Sequence, residues 1–319
     1  MGSTTAGDAH HAEAVSLALH RYLDLGGERD AFALGAFLTH GLRLVELGSV
    51  GIEHRAAVTA TKHLFILWNA WLDDVVDTRR DADLAERLLE VPYRRPDPSG
   101  LDPARKAWLD ACSDGWALVD RRVRALPRYR ELASSLAFDV RQFLMSLRYS
   151  LMIAERPEAL CPLEHETCAG HNMNIVVFAT MDLMASPGFD IAELPWVRTA
   201  AHHAQAMGRL SNDLCTWRGE AKDRDFANSL FAHAVAEGVV HPRDLGPEGV
   251  HTSELIRRIE DGGIEERVME RRAHHRGAML DVALKARTVD VAAWVAGLDG
   301  LHVLYGQSRA AVDQKRRPA

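Results

Sequence analysis

Proline placement constrains the fold of this chain more than any other feature. The twelve prolines leave six long stretches without proline, of 91, 23, 29, 24, 46 and 70 residues. Because proline inside a helix costs about 3 kcal/mol, these stretches are where long helices can form. Within them apolar residues recur at spacings of three and four, for example at positions 132, 136, 140, 143 and 147. This spacing predicts helices that each bury one face.

Signals for β-strands are missing from the sequence. It contains no Asn-Gly turn, no sustained alternation of β-branched residues and no long internal repeat. Loops are predicted at 92–103, around 187–188 and at 241–249, where proline and glycine cluster. We therefore predict a single all-α domain of about ten to twelve helices packed around a core. The predicted domain covers residues 10–313. A disordered N-terminus at 1–9 and a basic tail at 314–319 flank it.

Composition and charge narrow the class of protein. The chain is 47% apolar and 26% charged, which is typical of a soluble globular protein. Its net charge of −7 argues against a nucleic-acid partner. The N-terminus lacks the pattern of a secretion signal, and the longest apolar run is roughly half a membrane span. The four cysteines show no paired spacing, which predicts buried, reduced thiols. We expect a cytoplasmic protein without a membrane partner.

The first candidate site is an acidic cluster at the end of an apolar helical run. Residues 64–77 read LFILWNAWLDDVVD. Asp73 and Asp77 are four apart and share one helix face, with Asp74 beside them, so their charges repel unless a cation lies nearby. Carboxylate clusters of this kind suit Mg²⁺, particularly where a phosphate completes its ligand shell. The alternative is a solvated helix end whose acidic groups pair with Arg79 and Arg80.

A second cluster lies in residues 212–220, which read NDLCTWRGE. Asn212, Thr216 and Glu220 are spaced at i, i+4 and i+8, so an amide oxygen, a hydroxyl and a carboxylate follow one helical stripe. A hard cation takes oxygen ligands of these kinds. The alternative is a polar surface stripe, which is common on any helix.

The two motifs together resemble those of the class I terpene synthases. Residues 73–77 are similar to the DDxxD motif of that family, and residues 212–220 to its NDxxS/TxxxE motif. The resemblance covers residues 10–313 and implies an all-helical bundle with a central active-site cavity, of the bacterial type. Chain-elongating prenyltransferases carry a second DDxxD, and protonation-initiated cyclases carry DxDD. Neither pattern occurs in this sequence.

The resemblance also implies a mechanism and its residues. Three Mg²⁺ ions would bind a prenyl diphosphate and neutralise the leaving group, and the resulting carbocation would cyclise in a dry, apolar cavity. The implied metal ligands are Asp73, Asp77, Asn212, Thr216 and Glu220, and Asp74 joins them as a catalytic residue.

Helical phase, at about 100° per residue, gives a first map of the cavity. Ile66 and Asn69 fall on the face of Asp73, and Phe65 lies at its border. The tryptophans at 68 and 71 point away and are predicted to pack in the core. On the second helix, positions 202, 205 and 209 share the side of Asn212. We therefore predict that His202 and Gln205 line the cavity. Arg209 either binds diphosphate or pairs with Asp213.

The sequence departs from the family pattern where diphosphate is sensed. Gly170 can form the usual helix break, but Glu166 stands where the family has an arginine. Gly219 stands where a basic residue normally precedes the triad glutamate, and Lys222 and Arg218 are the nearest alternatives. Tyr305 with Arg309 replaces a C-terminal Arg-Tyr pair. The arginines that compete for the missing role are Arg148, Arg209, Arg224 and Arg309.

These departures, with the polar residues assigned to the cavity, favour a diterpene substrate. Geranylgeranyl diphosphate and a bicyclic labdane-type diphosphate both qualify, supplied by an upstream prenyltransferase or a class II cyclase. The alternative is a sesquiterpene synthase acting on farnesyl diphosphate. A chain-elongating prenyltransferase and a non-catalytic helical protein remain as other classes. A homodimer is compatible with a helical domain of this size.

Overall fold

Helices make up almost all of the regular structure in the computed structural model, which describes residues 6–27 and 31–307. That part of the chain holds fourteen α-helices and no strand. They are α1 (Ala6–Asp24), α2 (Ala31–Leu44), α3 (Ile52–Asp73), α4 (Ala82–Glu90), α5 (Pro103–Arg124), α6 (Tyr129–Glu155), α7 (Pro162–Cys168), α8 (Ile175–Met184), α9 (Leu194–Asp223), α10 (Ser229–Ala236), α11 (Pro242–Leu245), α12 (Thr252–Asp261), α13 (Ile264–Ala283) and α14 (Val291–Gln307). The all-α prediction is confirmed.

Shorter turns complete the fold. A π-helical turn spans Asp74–Thr78, and 3₁₀ turns span Pro157–Ala159, Ala169–Met173 and Ile191–Glu193. The helix count exceeds the predicted ten to twelve because α7 and α11 have only 7 and 4 residues. Runs this short are difficult to distinguish from loops by periodicity.

Two helices lie at the centre of the bundle. All ten residues of α8 are buried, as expected of a helix that is apolar on every side. α3 is buried along most of its second half and packs against α1, α2, α5 and α8. The 30-residue α9 packs on α8, α13 and α14, so α8 connects α3 and α9 within one core.

A smaller apolar cluster forms on the C-terminal half of α9. Trp217 packs there with Phe226 and Phe231, together with apolar residues of α10, α12 and α13. Because α9 also borders the main core, this one helix joins both clusters. The single-domain prediction agrees with this arrangement.

Predicted boundaries and observed ones differ in detail. The loop predicted at 92–103 lies between α4 and α5, and Asp102 caps α5 by accepting a hydrogen bond from the Arg105 amide at 2.9 Å. The loop predicted at 241–249 instead contains α11. α1 begins at Ala6, within the segment predicted to be disordered, whereas 1–5 and the tail lie outside the described residues.

Two expectations drawn from the sequence concern the burial of the cysteines and membrane-spanning helices. Cys112 is buried, but the other three cysteines are partly exposed, so the prediction of uniformly buried thiols is wrong. None of the helices in residues 6–27 and 31–307 combines the length and apolar character needed to cross a bilayer.

A buried ion pair joins the two central helices. Lys62 of α3 lies 2.7 Å from Asp182 of α8, both side chains are fully buried, and the Leu47 amide donates to the same carboxylate at 3.0 Å. Burial raises the pKa of Asp182 to about 6, while Lys62 and the Leu47 amide act to lower it. At pH 8 the carboxylate is therefore ionised and needs its partner.

We expect Lys62→Met to reduce the free energy of unfolding by about 3 kcal/mol, because it leaves a buried charge without its counterion. Urea denaturation at pH 8 measures the loss. The double variant Lys62→Met/Asp182→Leu is the control, and it should recover most of the loss because both charges are removed. A single variant within about 0.5 kcal/mol of wild type would contradict the assigned role.

Candidate active site

A cavity of about 210 Å³ opens between α2, α3, α8, α9 and α14. Its walls combine apolar side chains such as Phe37, Ile66 and Phe178 with polar ones. Both acidic motifs contribute to its lining. All five residues predicted as metal ligands line this cavity: Asp73, Asp77, Asn212, Thr216 and Glu220.

The first motif lies where the helix changes its geometry. α3 continues directly into the π turn Asp74–Thr78, in which the Arg79 amide donates to the Asp74 carbonyl at 2.9 Å. π turns inside helices are rare and occur often at functional sites. Asp73 directly precedes this turn and Asp77 lies within it, and both line the cavity. No feature of the sequence indicated the π turn.

Asp74, predicted as a catalytic residue, does not line the cavity. It is buried, and the Tyr22 hydroxyl of α1 donates to its Oδ2 atom at 2.5 Å. The chain after α1 keeps Tyr22 in place, since a Cβ at Gly27 would lie 2.3 Å from the Tyr22 ring. Asp74 therefore fixes the π turn against α1. The sequence indicated no role for Tyr22 at this site.

The second motif is held by hydrogen bonds within and beyond α9. The Thr216 hydroxyl donates to the Asn212 carbonyl at 3.2 Å, and the Asn212 side-chain nitrogen lies 3.4 Å from Asp213 Oδ1. Glu220 accepts a hydrogen bond of 2.7 Å from the side chain of Asn228, which is fully buried and caps α10. Asn228 thus orients a predicted ligand, and sequence reasoning missed it.

Arg209 pairs with Asp213. This is the second of the two roles that the sequence allowed for Arg209, the first being diphosphate binding. Its Nε atom lies 2.9 and 3.0 Å from the two carboxylate oxygens, and it also donates to the Ala227 carbonyl. Burial lowers the pKa of Arg209, but the carboxylates of Asp213 and Glu220 outweigh it and the pKa is raised. Arg209 thus brings a fixed positive charge to the cavity while it clamps α9 to the start of α10.

The other predicted diphosphate ligands are dispersed. Tyr305 of α14 lines the cavity, and burial raises its pKa, so the phenol is neutral. Lys222 is exposed outside the cavity, and Arg309 lies outside the described residues. Of the competing arginines, Arg148 pairs with Glu86 at 2.6 Å and Arg224 donates to the Leu245 carbonyl at 2.9 Å. Within residues 6–27 and 31–307, Arg209 is therefore the one basic side chain that lines the cavity.

Comparisons by sequence and by structure give different results. No family model and no curated protein matches the sequence. One similar structure is that of linalool/nerolidol synthase from Streptomyces clavuligerus in complex with 2-fluorogeranyl diphosphate. The match covers 94% of each chain, with a TM-score of 0.56 and 14% sequence identity. A further structure of that enzyme gives a TM-score of 0.57 and 13% identity over 94% of this chain and 96% of the other. A variant of cucumene synthase gives 0.53 and 18% identity over 95% of both chains. This chain has the class I terpene synthase fold.

Within this terpene synthase fold, Phe65 does not line the cavity. It is fully buried in an aromatic cluster, with ring centroids 5.7 Å from Trp68 and 5.6 Å from Phe143. Trp68 and Trp71 pack in the core as predicted. Phe65 lay at the border of the predicted face, where helical phase alone does not decide which neighbour a side chain meets.

Gly170, His202 and Gln205 line a second cavity, of about 700 Å³, between α7, α9, α10 and α13. Gln205 does share the face of Asn212, but it lies about 10 Å nearer the start of α9. There the face meets the turn Ala169–Met173, which separates the two cavities. Gly170 does occupy the predicted helix break, because α7 ends at Cys168 and this turn follows.

Two asparagines complete the wall near the first motif. Asn69 lines the cavity as predicted, and Asn172, to which the sequence assigned no role, lines it as well. The side-chain nitrogen of Asn172 donates to Asp73 Oδ1 at 3.3 Å. Asn172 therefore connects the helix break to the first motif. Glu166, which stands where the family has an arginine, pairs instead with Arg271 at the second cavity.

The ligand chemistry of the first cavity suits Mg²⁺. The five candidate ligands offer only oxygen atoms, which hard cations prefer. In the described part of the chain no three His, Cys, Asp or Glu side chains form a ready metal cage. A set divided between two helices fits Mg²⁺, because this ion keeps several waters and takes further oxygens from a phosphate.

Proposed function

We propose that this chain is a terpene synthase that uses Mg²⁺ to ionise a prenyl diphosphate and then cyclises or rearranges the carbocation. One observation carries the proposal: the side chains of both acidic motifs line the same cavity. The fold shared with linalool/nerolidol synthase and cucumene synthase supports the same activity.

The proposed metal ligands are Asp73 and Asp77 on one side and Asn212, Thr216 and Glu220 on the other. Bound Mg²⁺ would supply the positive charge that stabilises diphosphate as a leaving group. The resemblance implies three ions. Arg209 adds its own positive charge to the same cavity, in a buried setting where charges interact strongly.

The rest of the cavity protects the cation. Apolar side chains such as Ile66 and Phe178 exclude solvent, and Phe37 and Tyr305 lie with ring centroids 5.3 Å apart at the wall. Aromatic faces stabilise a nearby cation by about 0.5–2 kcal/mol. A neutral Tyr305 does so without offering a phenolate that would quench the cation.

Substrate length is a separate proposal. The diterpene expectation depended on polar residues in the cavity, and two of them, His202 and Gln205, line the second cavity instead. The support for a C20 substrate is therefore reduced, and we rank farnesyl diphosphate, the sesquiterpene alternative, ahead of the C20 substrates.

A product assay tests the function. Geranyl, farnesyl, geranylgeranyl and bicyclic labdane diphosphates are each incubated with the protein, and diphosphate release and gas-chromatographic products are measured. We expect farnesyl diphosphate to react fastest, and EDTA to abolish turnover, because ionisation depends on the metal. Consumption of isopentenyl diphosphate would indicate a chain-elongating enzyme. No Mg²⁺-dependent release from any substrate would indicate a non-catalytic helical protein.

A further inference from the structure

An arginine beside the first motif reaches across to the helix of the second. Arg80 follows Asp77 by three residues, and its Nη2 atom donates a hydrogen bond of 3.1 Å to the backbone carbonyl of Asp223. Asp223 is the last residue of α9 and follows Glu220 by three residues. One side chain therefore links the two segments that carry the halves of the proposed ligand set.

The backbone at Arg80 is held in an unfavourable conformation. Its φ of 50° lies in the left-handed region, which residues other than glycine seldom adopt. On one side of it the Arg79 amide donates to the Asp74 carbonyl at 2.9 Å. On the other side the Asp81 amide donates to the Val75 carbonyl at 3.2 Å. Such strained residues persist where the surrounding structure enforces them, and they cluster at functional sites.

The acceptor of this hydrogen bond is a group that α9 does not satisfy within itself. The last carbonyls of a helix lack helical partners and form the negative end of its dipole. The amide of Arg224, which ends α9, bonds to the carbonyls of Glu220 and Ala221. Arg80 donates to the carbonyl of Asp223 and brings a positive charge to this helix end. The segment of the first motif therefore caps the helix of the second.

The other connection between the two motifs is indirect. Among described residues, α3 and α9 are joined chiefly through α8, on which both pack. Mg²⁺ requires a near-ideal octahedron of ligands at about 2.0–2.1 Å, so its binding is sensitive to the separation of the two halves of a divided site. We propose that Arg80 is a positioning residue that sets the separation of the two metal-binding motifs. This inference rests on the proposed function, which takes those motifs to be the metal site.

Direct binding of diphosphate by Arg80 is the competing role, and the two roles predict different results. A positioning residue acts through the metal ligands, so its loss raises the concentration of Mg²⁺ that the protein requires. A direct ligand contributes to diphosphate affinity at every Mg²⁺ concentration, so its loss weakens binding even when the metal is saturating. The test therefore varies Mg²⁺ and diphosphate independently.

Titration calorimetry makes this measurement without turnover, with inorganic diphosphate as the probe. Binding to the full chain is measured over a series of Mg²⁺ concentrations. We expect Arg80→Ala to raise the Mg²⁺ concentration for half-maximal binding about tenfold, as is typical when a residue that orients metal ligands is removed. At saturating Mg²⁺ its affinity for diphosphate should stay within about threefold of wild type, because excess metal compensates for weaker metal binding. Diphosphate release from farnesyl diphosphate should show the same shift in Mg²⁺ dependence.

Two further variants separate the side chain from its backbone and from its charge. Arg80→Gly lacks the guanidinium but adopts a φ of 50° without strain, so it should show the same shift as Arg80→Ala. Arg95→Ala is the matched charge control and should behave as wild type, since Arg95 is exposed in the loop before α5 and does not line the cavity. The thermal midpoints of all three variants should lie within about 3 °C of wild type.

Several outcomes would overturn the inference. An unchanged Mg²⁺ requirement in both Arg80 variants would show that this contact does not position the motifs, and the proposed function would stand. A loss of diphosphate affinity at saturating Mg²⁺ that exceeds the shift in Mg²⁺ requirement would make Arg80 a direct ligand. Wild-type behaviour of Arg80→Gly beside a defective Arg80→Ala would assign the defect to backbone strain. A wild-type protein that neither binds diphosphate with Mg²⁺ nor releases it from any prenyl diphosphate would reject the proposed function together with the inference.

Discussion

Asp73→Ala and Asn212→Ala should each lower Mg²⁺-dependent diphosphate release by about a thousandfold or more, while the protein remains folded. The two residues belong to opposite halves of a divided ligand set, so either change removes an oxygen that no neighbour replaces at the same position. The lost stabilisation applies to charge that develops on the leaving group, and the buried setting makes it large. A single-turnover assay of diphosphate release measures it.

The matched control for this prediction is Asp110→Ala. Asp110 is an exposed carboxylate on α5, so its removal changes the net charge by the same amount as Asp73→Ala without touching the cavity. It should keep wild-type activity. Circular dichroism and thermal midpoints within a few degrees of wild type would show that the inactive variants are folded. Full activity in either Asp73→Ala or Asn212→Ala would reject the metal assignment.

Local spacing groups the predicted metal ligands within each motif, whereas the packing of α3 and α9 on α8 brings the two motifs to one cavity. Asp73 and Asp77 share a face by their spacing, and so do Asn212, Thr216 and Glu220. Neither relation depends on tertiary contacts, so periodicity was enough to group the residues. The same reasoning predicted the buried tryptophans of α3.

The sequence did not predict the roles of residues whose partners lie far away along the chain. Asp74 faces away from the cavity because Tyr22, 52 residues earlier, donates to it. Gln205 has the predicted phase, but the turn Ala169–Met173 covers its part of the helix face. Asn228 orients Glu220 from the start of the next helix. Such pairings depend on how the helices pack against one another, and no local sequence pattern indicates that packing.

Acidification from pH 7 to pH 5 should reduce the free energy of unfolding by about 3 kcal/mol, a large share of the 5–15 kcal/mol typical of a domain, because the buried histidines outweigh the opposite contribution of Asp182. Six histidines line the second cavity: His165, His171, His202, His203, His233 and His275. Burial is the main cause that lowers the pKa of His171 and His275 to about 4, and it lowers that of the fully buried His165 well below 6.5.

The sign follows from the proton count in each state. Below about pH 6.5 the unfolded chain protonates these histidines, whereas the folded chain does not until pH 4 or below for His171 and His275. The unfolded state therefore binds more protons, and stability is full above pH 6.5 and falls as pH decreases toward 4. Each such histidine contributes about 1.4 kcal/mol per pH unit, less where it is partly exposed.

His275 gives the sharpest test, because geometry and burial act together there. Its Nδ1 atom lies 2.9 Å from Nδ1 of His203, so one of the two nitrogens must lack a proton for a hydrogen bond to form. His275→Gln removes one group that resists protonation. Between pH 7 and pH 5 its free energy of unfolding, measured by urea denaturation, should therefore fall by about 1–2 kcal/mol less than that of wild type. His40→Gln, at an exposed histidine, should leave the pH dependence unchanged. Equal slopes for His275→Gln and wild type would mean that the buried histidines do not govern acid stability.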